Sequence, residues 1–292
     1  MQRTTYSLVL AFMLASIAQA ADGQQATIVD VGGTETKLVD LTTDQDEFFG
    51  FAMGSSGIPI VIKDFRVRQA GGADYRRWLY LDEVEHLELK QGTVSARLKT
   101  GATVSASFGS VNPVYVQFRG KSEFGDLSLP SYKVRSITVA GGNSGQQHPN
   151  VMGTEGPKAT ITLRDGTVLT AAAVQRHVFF FSRYINVRGT HAHYSSVWIA
   201  YKRGEASVET ELVFSRIKDI TFDTPVVTSE GYSGGTTCKV SLRDGSILSG
   251  ECRGGERARE FNSLVGRTDA GPFGIAGDLG YAIKTIQFSE YE

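Results

Sequence analysis

The stretch Val240-Ser241-Leu242-Arg243-Asp244-Gly245-Ser246-Ile247-Leu248 reads as a strand, a tight turn and a returning strand. Val240 and Leu242 fall on one face of an extended chain. Asp244-Gly245 supplies the turn, where glycine accepts a positive φ that other residues resist. Leu248 continues the buried face on the way back. Working outward, Cys238 and Cys252 flank this hairpin. The parity that buries Val240, Leu242 and Leu248 puts both cysteines on one common face, opposed or diagonally offset. A disulfide between them is the expectation, and an oxidising compartment would allow it. The alternative is a pair of buried free thiols.

The opening pattern, apolar-x-Leu-x-x-Gly-x-x-apolar, recurs. It stands in Ala96-Arg97-Leu98-Lys99-Thr100-Gly101-Ala102-Thr103-Val104 and in Ile161-Thr162-Leu163-Arg164-Asp165-Gly166-Thr167-Val168-Leu169. A closing pattern, apolar-x-x-apolar-x-apolar, recurs with it. It stands in Val134-Arg135-Ser136-Ile137-Thr138-Val139, Ile217-Lys218-Asp219-Ile220-Thr221-Phe222 and Ile283-Lys284-Thr285-Ile286-Gln287-Phe288. Val84-Glu85-His86-Leu87-Glu88-Leu89 has the same shape and implies a more diverged first unit, opening at Ile28-Val29-Asp30-Val31-Gly32-Gly33. Self-similarity of this kind predicts a repeat architecture. The separation from turn glycine to closing strand is longer in the first and third units than in the second and fourth. The chain therefore reads as a duplicated long-short pair. The expected boundaries are a signal peptide over 1–20, β-units over 21–91, 92–140, 158–223 and 237–292, a linker over 141–157 and a loop over 224–236. The expected fold is all-β, four tandem small β-barrel or β-roll units. Thr43 could cap a helix of a turn or two over 44–49.

Val240 to Gly250 resembles the first motif of Sm-like barrels, and Leu163-Arg164-Asp165-Gly166 resembles it more weakly. The match covers about a dozen residues of one unit, and the second Sm motif is absent from all four. The resemblance implies a small barrel of SH3/Sm type and carries no site residue with it.

Composition agrees with short strands joined by turns: Gly is 33 of 292 residues against 7 Pro, and 41% of the chain is hydrophobic. The net charge of −1 does not suggest a nucleic-acid partner. Arg3, the apolar run Leu8 to Ala15 and the small-x-small site Ala18-Gln19-Ala20 together predict a signal peptide cleaved before Ala21. No later segment is long and apolar enough to span a membrane. The expected location is periplasmic or secreted.

Candidate sites are few. Tyr75 with Trp78, and Tyr194 with Trp198, fall at similar places in the two long units, where exposed rings could stack on sugars. Packing beneath each unit's own hairpin is the competing reading, and repeat-preserved elements favour it. His191 and His193 share one face of a strand and could begin a metal site, with His177 as a further ligand, but a polar hairpin tip explains them too. Gly231-Tyr232-Ser233-Gly234-Gly235 matches a nucleophile elbow in letters, yet a strand follows it where a helix is needed. No cofactor is implied. The reading reached is an exported, non-catalytic binding or scaffolding protein working through edge strands, with protein the expected partner. The alternative is a polysaccharide or cell-wall binder using the Tyr/Trp pairs.

Overall fold

The computed structural model describes residues 25–43, 47–48, 51–52, 57–65, 72–90, 92–107, 116–140, 156–180, 190–223, 236–253 and 263–289. The segments 1–20, 141–155 and 224–235 lie outside them.

The chain up to residue 90 forms β1 (Gln25–Asp30), β2 (Glu35–Thr43), β3 (Glu47–Phe48), β4 (Phe51–Ala52), β5 (Gly57–Asp64), β6 (Ala73–Tyr80) and β7 (Val84–Lys90). Next come β8 (Thr93–Leu98), β9 (Thr103–Ser107), β10 (Gln117–Ser122), β11 (Gly125–Pro130) and β12 (Val134–Ala140). The second half opens with β13 (Ala159–Leu163), β14 (Val168–Phe180), β15 (Thr190–Tyr194), β16 (Ser196–Arg203), β17 (Ala206–Val213) and β18 (Ile217–Phe222). It ends with β19 (Thr236–Leu242), β20 (Ile247–Arg253), β21 (Ser263–Thr268), β22 (Gly271–Gly277) and β23 (Ile283–Phe288). The expected helix after Thr43 does not form over Glu47–Phe48, which pairs with Phe51–Ala52 as a two-residue ribbon.

Both sequence patterns have a local physical basis. The four turn glycines, Gly33, Gly101, Gly166 and Gly245, take φ of 87°, 84°, 87° and 87°, the left-handed region that only glycine enters without cost. The closing pattern breaks strict alternation because each closing strand begins with a bulge. Against β8, β1, β19 and β13 the register slips by one at the start of β7, β12, β18 and β23. The extra residue is Glu85, Arg135, Lys218 or Lys284, which turns x-x into a single step of the ladder. A single helical turn precedes each closing strand: Leu81–Glu83, Ser131–Lys133, Phe214–Arg216 and Leu279–Ala282. The carbonyl ending that turn accepts an N–H from just past an opening strand in all four cases: Lys99 to Glu83, Val31 to Lys133, Arg243 to Arg216 and Arg164 to Ala282.

These bonds run between sequence units, and so do the ladders. The opening strand β1 pairs with β12, and β8 with β7; likewise β13 pairs with β23, and β19 with β18. The spatial order in the first half is β11-β10-β2-β1-β12, then β7-β8-β9-β5-β6. In the second half it is β22-β21-β14-β13-β23, then β18-β19-β20-β16-β17. Each half is thus two mirror-ordered sets of five strands that meet at their closing strands. At those seams Ile137 faces Leu87 and Ile286 faces Ile220, all fully buried. A third seam, β6 against β22, joins the halves.

Among the described residues every pairing is antiparallel and the path from β11 to β17 does not return on itself; β15 is a branch from the far end of long β14. The protein is therefore all-β with large antiparallel sheets, none closed into a barrel. The expected tandem small barrels are not confirmed at that finer level.

Two apolar cores follow the halves, and the middle seam ties them together. Ala73 and Tyr75 of β6 belong to the second-half core, while Ile62 of β5 packs on both. Lys63 reaches Asp165 and Thr167 across the same junction. Burial raises the Asp165 carboxyl, but hydrogen bonds from Lys63 and Thr167 more than offset it, so its pKa lies below the ordinary value. The arginines of the two Arg-Asp-Gly turns act as matching clamps. Arg164 donates to the carbonyls of Gly280, Phe222 and Asp223, and Arg243 to those of Ser215, Phe288 and Ser289.

Cys238 and Cys252 are joined by a disulfide, with Cα atoms 5.8 Å apart. Cys238 lies opposite Gly250 and Cys252 opposite Thr236, the diagonal offset that parity allowed. The bridge and the absence of a membrane-length apolar helix among the described residues are compatible with export. Replacing both cysteines by serine should cost about 3 kcal/mol, the loop-closure value for a bridge of this span. A thermal midpoint unchanged by that double substitution would show that the bridge contributes nothing.

Candidate functional site

The sequence-derived aromatic sites separate in the structure. Trp78 is on β6, the strand before a helical turn, whereas Trp198 is on β16, one strand earlier in its hairpin. They do not occupy equivalent places. Trp78 and Tyr75 are 1% and 5% exposed, so neither presents a ring to a ligand. Burial raises the Tyr75 hydroxyl pKa, with Arg77 partly opposing it. Trp198 is half-buried and Tyr194 is 37% exposed. The Arg176 guanidinium covers Tyr194 at 4.6 Å from the ring centre. Arg176 is itself buried and donates to the Ser196 carbonyl; burial lowers its pKa, and Glu211 and Tyr194 counter that.

The backbone of β14 and β15 puts His193 opposite His177 and His191 opposite Phe179. The side chains of these histidines, and all of Ser233, lie outside the described residues.

Among the described residues the strand order leaves two ends: β11 pairs with β10 alone and β17 with β16 alone. Both belong to hairpins closed by two-residue turns, Ser122 to Gly125 and Arg203 to Ala206. In such hairpins the closing pair is hydrogen-bonded and alternate residues turn their amides outward. The bonds Ser131 N–H to Val116 and Phe214 N–H to Ser195 extend the same phase. Asp126 and Ser128 on β11, and Ser207, Glu209, Glu211 and Val213 on β17, therefore direct their backbone N–H and C=O away from the sheet. Pro130 ends the β11 edge with no N–H to offer. Half of the β11 residues and most of those of β17 are exposed.

The β11 end also carries a cleft of about 600 Å³ over β2, β10 and β11. Phe118, Leu127 and Leu129 turn inward to the first-half core. The alternate residues face the cleft: Arg119 lies opposite both Thr42 and Ser128, and Lys121 opposite Asp126. Lys121 contacts Asp40 at 3.5 Å. Asp40 holds φ of 57° where the β2–β10 register slips, a backbone that aspartate tolerates better than most residues. Arg119 and Asp126 have no ion-pair or hydrogen-bond partner among the described residues.

The sequence points to edge strands in general but does not single out Arg119, Asp126 or Ser128, because nothing local marks β11 as the edge strand that stays open. No family model, no curated protein and no solved structure matches this chain.

Proposed function

We propose that this is an exported, non-catalytic binding or scaffolding protein that takes up extended segments of partner proteins at its two open strand edges. The observation that carries the reading is the unclosed strand order of the described residues, which ends in β11 and β17 with outward backbone groups that no described strand uses. An open edge is a template for another strand, main-chain hydrogen bonds supplying affinity and alternate side chains supplying selectivity. The five-strand sets, with their repeated turn, bulge and helical-turn contacts, serve here as rigid supports in the manner of open small barrels. The polysaccharide alternative now rests on Tyr194 and Trp198 alone.

Photo-crosslinking residues placed at Ser128 and at Ser207, in the cells that export the protein, should each yield a discrete protein adduct. Control placements at exposed Lys90 and Asp244 should yield none. Proline beside the probe at an outward edge position should abolish the adduct, since it removes the N–H that a guest strand needs. Adducts equally strong at the control positions, or indifferent to proline, would overturn the reading.

A further inference from the structure

We infer that the β11 edge selects a guest strand running antiparallel to it, with an acidic residue followed two positions later by a basic one. This inference rests on the edge-pairing reading above and specifies its partner.

The backbone groups available on β11 are those of Asp126 and Ser128, so the guest residues opposite these two set the register. Antiparallel pairing puts the guest residue facing Ser128 first in its chain and the residue facing Asp126 two later. Both guest side chains then lie on the cleft side, because the face alternates with period two. Ser128 is short, and Arg119 stands directly behind it on β10. A guest carboxylate facing Ser128 is two strand spacings, about 10 Å, from Arg119, a gap that the long Arg119 side chain and a guest Glu can close over the short serine. The guest residue facing Asp126 meets a carboxylate that lacks an ion pair among the described residues, which a lysine or arginine would supply. Lys121, behind Asp126, already contacts Asp40 and so leaves Asp126 to the guest. The cleft holds the two longer side chains.

A second copy of this chain fits the site less well. In the same register a second copy's β11 would bring Ser128 rather than a base to Asp126, and its β17, entering with Glu209 at Ser128, would set Glu211 against Asp126.

The test uses the chain from Ala21 and two labelled extended hexapeptides, Thr-Val-Glu-Val-Lys-Val and its charge-exchanged form Thr-Val-Lys-Val-Glu-Val, read by fluorescence anisotropy. The first should bind about tenfold or more tightly than the second. The double substitution Arg119→Glu with Asp126→Lys should invert that preference, a gain that a misfolded variant could not show. Ser128→Pro, which removes an outward N–H not used by β10, should abolish binding of both. Equal binding of the two peptides that is still lost in Ser128→Pro overturns the charge selection and leaves edge pairing standing. Binding that survives Ser128→Pro overturns edge pairing at β11. Binding of neither peptide overturns the inference, as would self-association of the chain that Ser128→Pro blocks.

Discussion

Ile286→Asp should unfold the second half of the protein, while Ile286→Ala should lower its stability by about 2–5 kcal/mol. Ile286 is fully buried and stands in the ladder between Ile161 of β13 and Ile220 of β18. It therefore packs at the seam where the two five-strand sets of that half meet. An unpaired carboxylate there costs more than about 4 kcal/mol, a large share of the total stability of a domain. Ile137, between Ile28 and Leu87, holds the same place in the first half, and Ile137→Asp should do the same there. Lys218→Ala, at an exposed bulge residue of neighbouring β18, should change stability by no more than about 0.5 kcal/mol. Because Ile220 and Ile286 touch, alanine at both should cost measurably less or more than the two single costs combined. Chemical denaturation of these variants checks this. An Ile286→Ala cost as small as that of Lys218→Ala would mean that the seam is not where the sheets join.

Gly277→Val should separate the unfolding of the two halves. Gly277 ends β22 opposite Ala73 of β6, at the middle seam. Its φ is 99°, and an added Cβ would lie 2.2 Å from the Gly72 carbonyl oxygen and 2.9 Å from the Ala73 Cα. Backbone has to move, and a β-branched residue at that φ adds a penalty of about 1–3 kcal/mol. The displaced carbonyl of Gly72 also accepts the Asp278 N–H, so the damage spreads along the junction. Calorimetry should show one transition in the native chain and two in the variant, with protease cutting between the halves. A single transition at an unchanged midpoint would show that β6–β22 does not couple them.

The hairpins, their turn glycines and the closing strands were legible in the sequence because each is set by neighbours within about ten residues. Leu-x-x-Gly fixes a turn, and alternation about it fixes a face. The x-x of the closing pattern was visible but not its meaning, since a bulge is defined by the partner strand. Partner choice was not legible at all. Ile137, Ile220 and Ile286 sit in near-identical patterns, so nothing local says that β1 takes β12 rather than β7. The matching of Trp78 with Trp198 failed for a related reason. Residue spacing through the long connections aligned the two tryptophans, but they fall on different strands of their hairpins. The candidate site suffers most, because β6, β11, β17 and β22 all precede a helical turn and only the assembled order shows which two stay open. Cys238 and Cys252 were the easiest pair, one hairpin apart with their parity fixed by Val240 and Leu248.

Backbone amide hydrogen exchange on the chain from Ala21, resolved by residue, tests the open strand order most directly. In β11 the amides of Asp126 and Ser128 should exchange fast while those of Leu127 and Leu129 are protected. In β17 Ser207 and Glu211 should exchange fast against protected Val208 and Leu212, while β6 shows protection toward both β5 and β22. Uniform protection along β11 and β17 would mean that their outer edges are already paired, and the account of two open docking edges would be wrong.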